Sequence, residues 1–272
     1  MPSTRRAALI GAVSSLLLIA AAVGQEWQGY ERLTREQLLD RLAEPGNEVP
    51  SLTAKNFTAL DLSGIDFRRA NLSASVFNKA TLTGAKLDGC NLTVSFLEGA
   101  NLSDASLVRA TLFSAQLAGA VLTGANLTDA RLIGDLRRAD LSRATLVRLN
   151  AAPDMKNQSM GLMRVNIVNA RVVGADMTDA DFSRANLSFS DFTGARLIRT
   201  RLVRADFSGS TLAGADLTGA DLREAILIDA DLTNADLSAA DFTGAELRGV
   251  KGLGSARRAG TAGLPASANG AQ

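Results

Sequence analysis

The chain has 272 residues, with 29 Lys and Arg against 28 Asp and Glu and a net charge of +1, which excludes a chain-wide polyanion or polycation. It has no His, so the commonest general base and metal ligand is missing. Its single Cys excludes an intramolecular disulfide and a Cys-based metal cage.

Residues 1–24 stand apart from the rest. Arg5 and Arg6 precede the apolar run Ala7–Val23, which is broken only by Gly11, Ser14 and Ser15. Small residues sit at Ala20, Ala22 and Gly24, as before a secretory cleavage site. The run also approaches the roughly 20 residues of a spanning helix. Two readings stay open: a cleaved signal peptide, or a single-pass anchor that holds residues 7–23 in a membrane. Both predict an exported location (periplasmic, lumenal or extracellular) or an anchored chain whose remainder faces away from the cytoplasm.

Residues 25–50 are predicted to form an N-terminal cap. Thr34, followed by Glu36 and Gln37, starts a helix that runs to about Ala43. Leu38, Leu39 and Leu42 give it an apolar face, and Pro45-Gly46 stops it. Trp27 and Tyr30 join this helix as the expected lid of the repeats.

From Leu52 the chain repeats every five residues. Leu or Phe recurs from Leu52 to Leu132 without a break, and an Ala or another small residue mostly stands two positions earlier from Ala70 on. Cys90 occupies that small position and is read as core. An α-helix advances about 100° per residue, so a five-residue step moves each Leu by a net 140° or so and leaves no stripe. A continuous strand alternates faces, and five is odd. The surviving solution is a very short extended piece and a bend in every repeat. If each bend is near 90°, four repeats close a square coil, and coils stack at about 4.8 Å.

In Ala215–Leu247 the unit reads ADLTG ADLRE AILID ADLTN ADLSA ADFTG AEL. This resembles the A(D/N)LXX motif of the pentapeptide repeat family, over residues 51–250. The resemblance implies an all-β solenoid, a right-handed quadrilateral β-helix with four pentapeptides per coil. At the strand spacing, some 37 repeats make about nine coils. The expected axial core includes Leu52, Phe57, Leu62, Phe67, Leu72, Phe77, Leu82, Leu102 and Leu122. In the second half it includes Phe182, Phe192, Leu202, Phe207, Leu217, Leu222, Leu232, Leu237 and Phe242.

The frame slips twice. Leu132 to Leu136 is a four-residue step, and Leu146 to Leu162 is one residue longer than three repeats. The slips cancel, which divides the rod into residues 51–146 and 162–250. Residues 147–161, with Pro153, Asp154 and Lys156, are a protruding loop or a set of distorted repeats. Some gyrase-binding members of the family carry functional loops, so Asp154 and Lys156 are candidate interaction residues. Residues 251–272 are rich in Gly, Ala and Ser and read as a disordered tail. That would leave the last coil uncapped, and the resemblance then implies a homodimer through the C-terminal coil.

Four repeats per coil place residues twenty apart above one another. Asp176, Arg196 and Asp216 form one such column, and Asp181, Arg201 and Asp221 another. Residues 131–171 are mostly basic and residues 201–250 mostly acidic, which makes Asp216, Asp221, Asp231, Asp236 and Asp241 further candidate interaction residues. No nucleophile with its base, phosphate-binding Gly loop or metal cluster is visible, so no catalytic residue and no cofactor is expected. Aromatics are only 4% of the chain and do not interleave the basic part, so nucleic acid is not an expected partner. The reading is a non-enzymatic rod outside the cytoplasm that contacts a protein partner or serves as a scaffold. The alternative from the same family is a DNA-mimicking binder of a type II topoisomerase.

Overall fold

The computed structural model describes residues 27–43, 49–67, 69–153 and 164–264. Residues 1–24, Asp154, Lys156 and the end of the tail lie outside them. Four ladders of parallel bridges run along the described rod. Face 1 carries Ser51, Asn71, Asn91 and onward; face 2 carries Asn56, Val76 and Phe96; face 3 carries Asp61, Thr81 and Asn101; face 4 carries Asp66, Lys86 and Ser106. Most rungs step twenty residues along the chain, as in Asp61 to Thr81; the step is nineteen from Val121 to Asp140, thirty-one from Asp140 to Arg171 and twenty-one from Asp236 to Arg257. Both predicted charge columns are present, with Arg196 bridging Asp176 and Asp216, and Arg201 bridging Asp181 and Asp221.

Most faces end in a four-residue turn closed by a backbone bond. Leu62 O accepts from Ile65 N at 3.2 Å, and Phe67 O from Ala70 N at 2.8 Å. The third residue of the turn has positive φ, +65° at Gly64 and +63° at Arg69, the type II pattern. This is the bend that five-residue periodicity demands. Most such corners are not glycine, and side chains as large as Arg109 and Phe189 hold left-handed backbone there.

The Leu and Phe residues fill the axis. Leu52 is 1% exposed, and Phe57, Leu62, Phe67, Leu72, Phe77, Leu82, Leu102 and Leu122 are fully buried. So are Phe182, Phe192, Leu202, Phe207, Leu217, Leu222, Leu232, Leu237 and Phe242. Phe57 stacks on Phe77 with ring centroids 4.8 Å apart. The small residue two positions earlier lies against the wall, where Ser sometimes replaces Ala. Its hydroxyl then donates to a backbone carbonyl, Ser75 to Leu52 at 2.6 Å and Ser210 to Leu187 at 2.8 Å, so these buried hydroxyls have partners. Cys90 takes this position, and burial pushes its thiol up to about 12.

The slip has a local cause. Strands β3 (Thr111–Gln116) and β4 (Arg131–Asp135) are paired around one corner, and β4 is one residue shorter. Ser114 has no opposite number, and Gly134 sits beside Ala115. On the next coil, at the same corner, the ladder passes from Asn150 to Asn166. Thus one corner is first shortened and then lengthened, and the return to frame reflects an inserted segment. Leu162 lies outside the described residues, and the first bridged residue after the segment is Asn166.

The N-terminal cap differs in detail from expectation. Helix α1 (Arg35–Ala43) starts with the predicted box: Thr34 Oγ1 accepts from Gln37 N at 3.2 Å, and Gln37 Oε1 from Thr34 N at 2.8 Å. Leu38 and Leu42 are buried, but Leu39 is 44% exposed, so the buried face is Leu33, Leu38 and Leu42. Strand β1 (Glu31–Arg32) pairs parallel with β2 (Lys55–Asn56) and closes the edge of face 2. Arg35 donates to the edge carbonyls of Asp61 at 2.6 Å and Ser63 at 3.1 Å. Trp27 is not part of the lid. It lies on the side of the rod against Phe96, centroids 4.6 Å apart, with Tyr30 edge-on at 5.5 Å.

The C-terminal expectation is corrected most. Residues 251–264 are not a disordered tail: Lys251 bridges Asp231, Arg257 bridges Asp236, and Ala262 bridges Asp241. These three bridges add three quarters of a coil beyond the predicted end of the rod. Gly252 and Gly263 lie directly on the backbone of Thr233 and of Phe242–Thr243, where a Cβ would collide. Leu253 and Leu264 pack against the core from the end. Leu247, Val250, Leu253 and Leu264 are only partly buried, so the end of the axis is partly covered.

Candidate functional site

The acidic candidates sit in three columns on consecutive faces. Asp216 and Asp236 are consecutive on face 4, Asp221 and Asp241 on face 1, and Asp231 lies on face 3 next to Lys251. Asp216, Asp221, Asp236 and Asp241 therefore surround one corner, and Asp231 is not with them. Asp154 and Lys156 fall outside the described residues.

Every one of these carboxylates has a structural task first. Asp216 Oδ1 accepts from Thr218 N at 3.0 Å, and Asp231 Oδ1 from Thr233 N at 2.9 Å. Asp221 Oδ1 accepts from Arg223 N at 3.3 Å. Asp236 and Asp241 do the same with Ser238 N at 3.0 Å and Thr243 N at 2.8 Å. Asp or Asn before the axial Leu bonds its own backbone two residues on and braces the turn. One carboxylate oxygen is consumed this way, and the other is left for a neighbour. Arg257 reaches Asp236 Oδ2 at 3.0 Å, and Arg223 reaches Asp221 Oδ2 at 2.7 Å. The predicted column pairs are looser, Arg196 to Asp176 at 3.9 Å and Arg201 to Asp181 at 3.8 Å.

A shallow groove of about 430 Å³ runs beside this region, lined by Gly214, Asp216, Asn234, Asp236, Ser255 and Arg257. Its two carboxylates are one coil apart, with Arg257 bonded to one of them. No group of three or more metal-ligating side chains occurs among the described residues. The groove offers a mixed-charge surface and no paired acid and base.

The hydroxyls of Thr233, Ser238 and Thr243 hold Asp231, Asp236 and Asp241 below the usual carboxylate range, and the Arg223 guanidinium does so for Asp221. A depressed folded-state pKa means that the unfolded chain binds more protons, so the linked stability is complete above the ordinary carboxylate pKa of about 4 and is lost as pH falls below it. We expect urea midpoints to be flat from neutral pH to about 5 and to drop steadily below about 4. A midpoint that rises on acidification would contradict the turn-bracing role.

Sequence reasoning missed a second charged array. Arg109, Asp129, Arg148, Asp179 and Arg199 occupy successive corners of the edge between faces 4 and 1, all with positive φ. Arg148 bonds Asp129 at 2.7 Å, and Arg199 bonds Asp179 at 2.7 Å. These pairs hold both aspartates below their ordinary range. Stacking the corner position in the same way as the position before Leu would have found this array, once the four-residue step was included. Both pairs are exposed and screened by water, so they set the charge pattern of the edge more than its stability.

A family model of pentapeptide repeats matches eight copies, at residues 56–93, 100–151, 162–199, 190–227, 200–238 and 215–251. Among solved structures, HetL, a pentapeptide repeat protein involved in heterocyst differentiation regulation from the cyanobacterium Nostoc sp. strain PCC 7120, is 30% identical. It matches over 82% of this chain and 96% of its own, with a TM-score of 0.49. QnrB1, a plasmid-mediated fluoroquinolone resistance protein, is 20% identical over 75% of this chain and 91% of its own, with a TM-score of 0.35. A pentapeptide repeat protein of the Arabidopsis thaliana thylakoid lumen is 25% identical over 61% and 70%, with a TM-score of 0.15. No curated protein shows significant similarity to the chain.

Proposed function

Because the chain belongs to the pentapeptide repeat family, whose members share the right-handed quadrilateral β-helix, we propose that it is a non-enzymatic rod that acts as a protein–protein interaction surface or structural scaffold outside the cytoplasm. The observation that carries the reading is the solid axis. Leu and Phe, with Ala151, Ile167, Val172 and Met177, fill it from Leu52 to Phe242, so the fold offers outer faces and no enclosed site among the described residues. Export, or anchoring through residues 7–23, is supported by the basic start and apolar run of residues 1–24. That run lies outside the described residues; among those described, no helix is long and apolar enough to cross a membrane.

The test is fractionation of cells that carry a C-terminally tagged chain, with the intact mass of the recovered protein. Recovery outside the cytoplasm without residues 1–24, or in membranes with the tag open to external protease, is the expected result. A chain with Met1 intact in the soluble cytosol would overturn the proposal. The topoisomerase alternative calls for a continuous acidic surface. Asp236 and Asp221 are instead partly neutralised by Arg257 and Arg223. An unchanged rate of gyrase supercoiling with purified protein added is the result expected here.

A further inference from the structure

Face 3 carries a charge sequence that is complementary to itself when reversed. After Asp61, Thr81, Asn101 and Val121, the last six positions of its ladder are Asp140, Arg171, Asp191, Thr211, Asp231 and Lys251, and it is these six that match. Turned end for end about a two-fold axis between Asp191 and Thr211, Asp140 meets Lys251, Arg171 meets Asp231, and Asp191 meets Thr211. Every charge then faces an opposite charge or a hydroxyl. We propose that this strip is a docking surface for a second copy of the same chain, lying antiparallel against it.

Independent features of the face favour that occupant. The acids are braced so that one oxygen points out: Asp140 Oδ1 accepts from Ser142 N at 2.9 Å, Asp191 Oδ1 from Thr193 N at 3.0 Å, and Asp231 Oδ1 from Thr233 N at 2.9 Å. Arg171 reaches Asp140 only at 3.6 Å, and its side chain is 66% exposed, so most of the guanidinium is open to a partner. Beside the axis stands Phe189, 63% exposed and held at φ +56°. A large side chain in left-handed backbone is costly, and exposure offsets none of that cost in the monomer. Its ring lies across Gly209 of its own chain, where a Cβ would come within 2.7 Å. In the antiparallel register the two Phe189 rings meet at the two-fold, the central aromatic position that commonly dominates an interface.

The opposite corner is built for close approach. From the level of Arg171 onward it holds Gly174, Gly194 and Gly214 on successive coils. The two-fold also leaves face 2 of both copies, with its Trp27 segment, on one side of the pair. The strip spans only about 24 Å at strand spacing, which places it among small interfaces and makes the dimer weak and reversible. The proposal is independent of where the protein resides.

Sedimentation velocity of the full-length chain in mild detergent and low salt, from about 1 to 500 μM, tests it. We expect concentration-dependent dimers that dissociate with added salt. Asp231→Asn keeps the turn-bracing oxygen and removes the charge from two pairs per dimer, so it should weaken dimerisation about tenfold. Phe189→Asn should weaken it as well without lowering the melting temperature, because Asn tolerates positive φ. The double change Arg171→Asp with Asp231→Arg should regain what each single change loses. Arg171→Cys with Asp231→Cys should yield a disulfide-linked dimer on oxidation, because within one chain the two positions are three coils, or about 14 Å, apart. A chain that stays monomeric throughout, or a dimer indifferent to Asp231→Asn and Phe189→Asn, would overturn the proposal.

Discussion

Gly134→Ala should destabilise the rod by about 3 kcal/mol or more, read as a fall in the urea midpoint. The reason is contact, not backbone dihedral. A Cβ on Gly134 would fall on the carbonyl oxygen of Ala115, which belongs to the paired strand and has no freedom to move aside. The comparison variant is Gly84→Ala, where nothing lies within 4 Å and only the φ of +62° opposes the change. That substitution should cost about 1–2 kcal/mol. Equal losses for the two variants would show that the shortened corner between β3 and β4 is not packed as described.

Phe182→Ala should cost about 3–5 kcal/mol, since the ring is fully buried on the axis and coils above and below cannot collapse into the space. A solenoid is stabilised mainly through contacts between neighbouring coils, so the damage should remain local. The chain has one Trp, and it reports the other end of the rod through its contact with Phe96. In the variant, loss of β signal by circular dichroism should therefore begin at lower urea than the change in Trp27 fluorescence. Coincident curves shifted equally would mean that the two halves unfold as one unit.

These two substitutions differ in how far the sequence foretells them. Phe182 is in the core because it holds the fifth-residue frame, and the arithmetic of a five-residue step leaves an inward column as the only repeated position. The four repeats per coil that the family resemblance implies put Asp176, Arg196 and Asp216 in one ladder. Gly134 was visible only as a four-residue step. That it presses on Ala115, and that the longer step from Asn150 to Asn166 sits at the same corner, depends on which of four edges each residue reaches. A one-residue change early in a coil moves that assignment for everything after it.

The ends of the rod were the least legible. A Gly- and Ala-rich stretch reads as disorder because it lacks side chains that fill an axis. Gly252 and Gly263 nevertheless close the axis because they lack them, letting the backbone lie flat on the coil before. Trp27 looked like a lid because it is large and close to the capping helix. It instead found Phe96, a residue in an outward column that periodicity marks as polar. In both places composition gave the wrong answer, because the outcome turned on the shape of a neighbour far away in sequence.

The sequence by itself determined the repeated bend, the axial column, the small wall position and the stacking interval, since each comes from a period and a side-chain volume. Only the tertiary structure decided to which edge the residues after the slip and the inserted segment belong, how the two ends are packed, and that the last six positions of face 3 match their own reversal. Those depend on the register of one coil upon the next, which backbone hydrogen bonds between distant residues set and no local pattern encodes.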